Sequence, residues 1–99
     1  MELLSCEVQG DPPALVVRGE VDAAGAATFR AAIAELRSLV GDRPAVIDLA
    51  AVTFLDSSGL AGLVDAASGG RPILLRRPSP IVLRVIEMTG LDALLPVEA

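Results

Sequence analysis

The sequence has 99 residues, of which 53% are hydrophobic and 2% are aromatic, and its formal net charge is −5. This length fits a single domain over residues 1–99, which buries about 65% of the surface of the unfolded chain in a core of Leu, Val, Ile and Ala. The basic residues are all arginines and form no cationic stripe, so nucleic acid is not an expected partner.

The first two predicted strands form a hairpin. Leu3 to Val8 and Leu15 to Arg18 are short apolar runs, separated by Gly10-Asp11-Pro12-Pro13. This intervening segment can turn the chain but cannot extend a ladder of backbone hydrogen bonds. We therefore expect the two strands to be antiparallel neighbours.

A long helix is predicted from about Ala23 to Val40. Its large apolar residues recur at intervals of four, three and four, which is the spacing of one helix face. They are Phe29, Ile33, Leu36 and Val40. Gly41 provides a C-terminal stop, Pro44 follows it as helix ends prefer, and Asp22 is the expected cap of the first turn.

The second half of the chain predicts a βαβ unit. The strand Ala45–Leu49 is followed by a helix from Ser57 or Ser58 to about Ala67 and by a strand from Pro72 to Leu75. Ser68-Gly69-Gly70 should end the helix, and the two strands should be parallel. A last helix is predicted over Ile81–Met88, with Ser79 as its cap. The sequence thus indicates an α/β or α+β domain with a mixed sheet.

The cysteine content and the lengths of the apolar stretches indicate where the protein resides. Cys6 is the only cysteine, which rules out an internal disulfide and fits a reducing compartment. The longest apolar stretches are well short of the roughly 18 residues that suggest a membrane span, and no secretion signal opens the chain. We therefore expect a cytoplasmic protein that does not insert into a membrane.

Most catalysis by a serine is excluded, because the chain has neither a histidine nor a lysine to activate the hydroxyl. A phosphate-binding loop and a dinucleotide fingerprint are absent, and the carboxylates do not follow the spacing of a calcium loop. We therefore expect no enzyme activity, no cofactor and no metal. A serine in such a protein can still receive chemistry performed by another protein.

Asp56-Ser57-Ser58-Gly59-Leu60 places two hydroxyl groups at a predicted helix start. One interpretation is that Ser57 is an N-cap, which accepts a hydrogen bond from a backbone N–H group. The other is that Ser57 carries a phosphate, which a helix N-terminus favours. The helix that follows has only Asp65 as a charged residue, so it is either buried in its own domain or covered by a partner.

Three motifs together resemble the STAS family, the domain of sulfate transporters and anti-sigma factor antagonists. Gly19-Glu20-Val21-Asp22 resembles the motif before the first long helix, and Val52 to Leu60 resembles the phosphorylation loop. Ser79-Pro80 through Met88-Thr89-Gly90-Leu91 resembles the last helix and its exit. The resemblance implies a mixed sheet of about four to five strands, with helices mainly on one face.

In the stand-alone antagonists, the resemblance implies that a partner with both anti-sigma factor and serine kinase activity phosphorylates the serine after the aspartate. That residue is Ser57 here, with Ser58 as a secondary acceptor. The unphosphorylated form would bind the anti-sigma factor and release the sigma factor, and a protein phosphatase would restore this form. The partner-binding residues implied in this way are Asp22, Asp56, Ser57, Ser58, Gly59 and Leu60.

The same family includes a second group of small proteins, the STAS subunits of lipid-transport complexes. They would act as structural or regulatory partners of an ABC transporter without a phosphoswitch. A chain of 99 residues leaves no room for the fused domains of other family members. The Asp56-Ser57-Ser58-Gly59 sequence favours the antagonist over the transporter subunit.

Overall fold

An antiparallel hairpin opens the fold in the computed structural model, which describes residues 3–68 and 71–98. Strand β1 (Ser5–Gln9) pairs with strand β2 (Ala14–Val21) along its whole length. The second strand extends beyond the predicted Leu15 to Arg18, because Gly19 adopts a φ of 88° and the register with the next strand shifts beside it. Glycine tolerates this left-handed conformation, so the strand continues to Val21.

The longest strand, β3 (Ala45–Leu55), lies between β2 and β4 (Ile73–Arg76) and is parallel to both. The four strands of the described residues form one mixed sheet in the order β1-β2-β3-β4. Strand β3 runs beyond the predicted Ala45–Leu49 through a register shift against β2. The side chain of Asp48 accepts a hydrogen bond from the Ala50 N–H group (3.0 Å), which stabilises the backbone at this irregularity.

Among the described residues, helix α1 (Ala26–Val40) connects β2 to β3, and α2 (Ser57–Ser68) connects β3 to β4. Helix α3 (Pro80–Thr89) follows β4. A single buried apolar cluster takes residues from every helix, including Phe29 of α1, Leu63 of α2 and Val82 of α3. The alternate side chains of the sheet, such as Val46 and Leu74, are only half-buried. The helices therefore lie mainly over one face of the sheet, as the resemblance described above implies.

Of the two predicted helix caps, Asp22 is wrong and Ser79 is correct in position only. Helix α1 begins at Ala26 instead of Ala23, and Asp22 stabilises the turn before it by accepting a hydrogen bond from Gly25 N–H at 3.2 Å. Ser79 occupies the cap position of α3, but its hydroxyl donates to the Val52 carbonyl at 2.7 Å. The Val52 carbonyl is 27 residues away from Ser79 along the chain, so the local sequence does not specify this bond.

Helix α1 is joined to the end of α2 by the buried side chain of Arg37. Its guanidinium donates to the carbonyl oxygens of Ala66 (2.6 Å), Arg71 (3.2 Å) and Pro72 (3.1 Å). Ala66 lies in the last turn of α2, and Arg71 and Pro72 lie just before β4, so Arg37 ties α1 both to the end of α2 and to the segment that leads into β4. The helix end that was expected at Gly69 and Gly70 lies outside the described residues.

The C-terminal segment pairs with the outer edge of β4. Leu75 donates its N–H to Pro96 at 2.9 Å, and its carbonyl accepts from Glu98 N–H at 2.8 Å. The side chain of Glu98 also binds Arg76, and Arg77 binds Asp48. These two ion pairs tie the end of β4 to the C-terminal segment and to the centre of the sheet.

Candidate functional site

The candidate site lies at the edge of the sheet where β2 and β3 end. Val21 and Leu55 are register partners in these parallel strands. Asp22 and Asp56 follow them directly, so both aspartates leave neighbouring strands at the same edge. The Asp56 N–H group donates to the Val21 carbonyl at 3.2 Å, which ties the start of α2 to the end of β2.

Asp56 is the N-cap of α2. Its Oδ1 atom accepts hydrogen bonds from the N–H groups of Ser58 (2.8 Å) and Gly59 (3.1 Å). A carboxylate is well suited to this position because it satisfies two unpaired donors and carries a negative charge at the positive end of the helix dipole. The interpretation of Ser57 as the cap is therefore wrong.

Ser57 is the first residue of α2, and its side chain is exposed. Within residues 3–68 and 71–98, its hydroxyl makes no hydrogen bond with the protein. Ser58 is half-buried, so the two hydroxyl groups differ in their access to solvent. Of the two predicted acceptors, Ser57 is the one that a second protein can reach directly.

Gly59 holds the first turn of α2 close to the strands. A Cβ atom at this position would lie 2.5 Å from Leu55 Cδ1 and 2.8 Å from the Val21 carbonyl oxygen. Only glycine permits this approach without a shift of the backbone. Gly59 is buried, so it affects a partner surface by placing its neighbours and not by direct contact.

The exposed line of α2 runs from Ser57 through Ala61 to Asp65, each one turn further on, and Asp65 pairs with Arg30. Leu60 and Val64 flank this line and are half-buried, whereas Gly59, Gly62 and Leu63 are buried on the opposite side. We call Ser57, Leu60, Ala61 and Val64 the α2 face. The helix thus combines both alternatives, since it is buried on one side and open to a partner on the other.

Sequence analysis did not single out Ala61, Val64 or Phe54 as site residues. Ala61 and Val64 lie four and seven residues after Ser57, and this helical spacing could have identified them. Phe54 is 40% exposed near the end of β3, although it is one of only two aromatic residues in the chain. Its exposure could not be inferred because the predicted strand ended before it.

Three carboxylates, those of Glu20, Asp22 and Asp56, belong to this end of the sheet. In the part of the chain that the structure describes, none of them forms an ion pair, and the Oε2 atom of Glu20 is buried without a hydrogen-bond partner. No group of three His, Cys, Asp or Glu side chains among those residues could hold a metal ion. The site offers an accessible hydroxyl beside negative charge.

Comparison with protein families identifies the fold. A family model described as "Mlab, STAS domain" matches residues 4–96. The chain belongs to the STAS domain family. Within the described residues, no helix is both long enough and apolar enough to cross a membrane.

Solved structures of anti-sigma factor antagonists have the same fold as this STAS domain. One from Mycobacterium paratuberculosis is 28% identical with a TM-score of 0.82, and the match covers 96% of this chain and 85% of that chain. The antagonist SpoIIAA in its unphosphorylated form is 19% identical, with a TM-score of 0.66 over 96% of this chain and 89% of its own. Bacillus SpoIIAA in the phosphorylated form is 20% identical, with a TM-score of 0.62 over 98% and 92%. At these identities, the likeness to SpoIIAA shows the fold alone.

Proposed function

We propose that this STAS domain is an anti-sigma factor antagonist that is switched off by phosphorylation of Ser57. The unphosphorylated protein binds a cytoplasmic anti-sigma factor that is also a serine kinase, and this binding releases a sigma factor. The kinase transfers the γ-phosphoryl group of ATP to the Ser57 hydroxyl with release of ADP and the hydroxyl proton, and the complex then dissociates. A protein phosphatase removes the phosphate and restores the binding form.

The observation that carries this proposal is the exposed hydroxyl of Ser57 on the first residue of a helix that Asp56 already caps. Since the cap does not depend on the serine, modification of Ser57 leaves the helix start intact. A phosphate adds roughly −1.5 to −2 charges at this point. Because Asp56 already holds two of the N–H groups, the phosphate remains at the surface where a partner meets it.

The α2 face explains how a phosphate would prevent binding. Apart from Ser57, the α2 face is apolar. The side chain of Ala61 is a single methyl group, so a partner can approach the helix closely there. A partner that covers this face has to desolvate the phosphate or neutralise it, and both are costly. Asp22 and Asp56 extend the surface along the sheet edge, Leu60 contributes to the face itself, and Ser58 is the secondary acceptor.

The structural relatives support this proposal. The Mycobacterium paratuberculosis protein is described as an anti-sigma factor antagonist, and SpoIIAA is known in both an unphosphorylated and a phosphorylated form. A protein of this fold can therefore carry the modification without loss of the fold.

The test is a pull-down from the native host with wild type, Ser57→Ala and Ser57→Asp, followed by mass spectrometry of the partner and of the bait. We expect wild type and Ser57→Ala to capture an anti-sigma factor, Ser57→Asp to capture at least tenfold less, and phosphate to be found on wild type only. Ser38→Asp is the matched control, because Ser38 is exposed on α1 and the substitution adds the same charge. Equal capture by Ser57→Asp and wild type would contradict the phosphoswitch.

The matched family model takes its description from Mlab and not from an anti-sigma factor antagonist, so we retain the alternative of a lipid-transport subunit. The same experiment separates the two functions. If this protein is a transporter subunit, wild type, Ser57→Ala and Ser57→Asp would capture the transporter equally, and the bait would carry no phosphate at Ser57.

A further inference from the structure

A cavity of ≈ 270 Å³ between α1 and α2 is lined by both helices, including Arg37. A second cavity, of ≈ 250 Å³, has a different lining. The smaller one opens where β3 begins, at the end of the strand opposite to Ser57. At about 3.3 Å per residue, the two ends of β3 are roughly 30 Å apart. This second cavity is thus separate from the site proposed above.

The floor of this cavity is apolar. Val46 of β3 and Leu74 of β4 are register partners, and both are half-buried on the face of the sheet that the helices leave open. Pro12 and Pro44 contribute further apolar wall from two neighbouring turns. An apolar chain that enters the cavity would replace water against these side chains, which is favourable.

Two arginines, Arg43 and Arg76, also line this cavity. Arg43 uses Nε and Nη2 to bind the carbonyl groups of Val40 and Leu39, at 3.1 and 3.4 Å. Arg76 uses Nε and Nη2 to bind the carboxylate of Glu98, at 2.8 and 3.3 Å. Among the described residues, no hydrogen bond involves the Nη1 atom of either arginine.

We propose that this cavity binds a small carboxylic acid with an apolar chain. The chain packs against Val46 and Leu74, and the carboxylate accepts hydrogen bonds from Arg43 and Arg76. Guanidinium groups recognise carboxylates well, and the bond between Arg76 and Glu98 is an example within this protein. Arg43 forms no ion pair within the described residues, so it places a positive charge beside the apolar floor that suits an anion, whereas Arg76 is paired with Glu98 and offers only its Nη1 atom.

Titration of the ¹⁵N-labelled protein with octanoate tests the proposal. We expect saturable chemical-shift changes that are largest at the amides of Val46, Leu74 and Arg76. Octanol has the same chain without the charge and should bind at least tenfold more weakly. Hexanoate should bind roughly 15-fold more weakly, because each buried CH₂ contributes about 0.8 kcal/mol, or about fourfold in affinity.

Variants identify the groups that bind. Arg43→Gln should weaken octanoate binding at least fivefold, and Leu74→Glu should abolish it because it places a carboxylate in the cavity. Arg84→Gln is the matched control, since Arg84 is an exposed arginine of α3 outside this cavity, and it should bind like wild type. Circular dichroism verifies that each variant is folded.

Three results would overturn the proposal: no saturable shifts at these residues, equal affinity for octanol and octanoate, or wild-type affinity in a folded Leu74→Glu variant. The Leu74→Glu measurement would overturn the proposal even if Arg43→Gln failed to fold. None of these measurements depends on Ser57, so their failure would leave the proposed antagonist function untouched.

Discussion

At the level of single residues, Asp56 and Ser57 have separate tasks. Asp56 caps α2 with one carboxylate oxygen, whereas Ser57 projects an exposed hydroxyl. We expect Asp56→Ala to lower the free energy of unfolding by about 1 kcal/mol, the usual cost of a lost N-cap. Ser57→Ala should change it by less than about 0.5 kcal/mol, because no bond to the protein is lost. Urea denaturation followed by circular dichroism measures both values.

Asp56→Asn is the control for this comparison. Asparagine is a good N-cap, so most of the stability should return while the charge is removed. If Ser57→Ala proved as destabilising as Asp56→Ala, the serine would share the cap, and phosphorylation would then weaken the helix as well as block its face.

The region of the site could be predicted from sequence, but the roles of its residues could not. An acidic residue and two serines before an apolar helical run are a local signal of a helix start, and this prediction was correct. Which side-chain oxygen binds the first N–H groups of α2 depends on the residue at which β3 ends. That strand ends at Leu55, well beyond the predicted Leu49, because its later pairing depends on β2.

At the level of elements, the placement of α2 depends on Gly59. We expect Gly59→Ala to lower the free energy of unfolding by roughly 1–3 kcal/mol, because the added methyl group would contact the backbone oxygen of Val21 at 2.8 Å. This cost should appear although alanine favours a helix over glycine by about 1 kcal/mol. Thermal or urea denaturation provides the measurement.

Gly62→Ala serves as the comparison within the same helix. Its Cβ would lie 3.1 Å from Phe29 Cδ2, a tight contact with a side chain instead of the backbone. The helix propensity of alanine offsets much of that strain. Gly62→Ala should therefore be less destabilising than Gly59→Ala by at least about 1 kcal/mol, and an equal cost for both would show that α2 shifts freely over the strands.

The helices and strands were largely predictable from the sequence, whereas the long-range hydrogen bonds between them were not. The spacing of Phe29, Ile33, Leu36 and Val40 correctly located α1, and all four residues are in the buried cluster. The role of Arg37 could not be inferred, because its three carbonyl partners lie 29 to 35 residues further along the chain. Long-range hydrogen bonds leave no periodic signal in the sequence.

At the level of the whole molecule, Asp48 links the centre of the sheet to the segment that precedes α3. Its side chain is buried, yet it accepts hydrogen bonds from the Arg77 side chain and the Ala50 N–H group. Burial alone would raise the pKa of the Asp48 carboxyl, but these bonds outweigh burial and hold the pKa below its ordinary value. The ionised form is therefore part of the folded structure.

Because the pKa of Asp48 is lowered in the folded state, the free energy of unfolding depends on pH. Since the pKa is lower in the folded state, the unfolded chain binds the proton first as the pH falls. The stabilisation from Asp48 is thus complete above its unfolded pKa of about 4 and is lost as the pH falls through the folded pKa. Asp48→Asn should lower the free energy of unfolding by roughly 1–3 kcal/mol at pH 7, and this difference from wild type should shrink below about pH 4.

Urea denaturation of wild type and Asp48→Asn from pH 7 to pH 2 checks this expectation. Arg76 also holds the pKa of the Glu98 carboxyl below its ordinary value, so wild type loses stability in acid for more than one reason. The difference between wild type and the variant isolates the part that belongs to Asp48. Asp65→Asn is the control: its ion pair with Arg30 is exposed and should contribute less than about 1 kcal/mol at any pH. A difference between wild type and Asp48→Asn that stays constant from pH 7 to pH 2 would mean that the ionised carboxylate does not stabilise the junction between the sheet and α3.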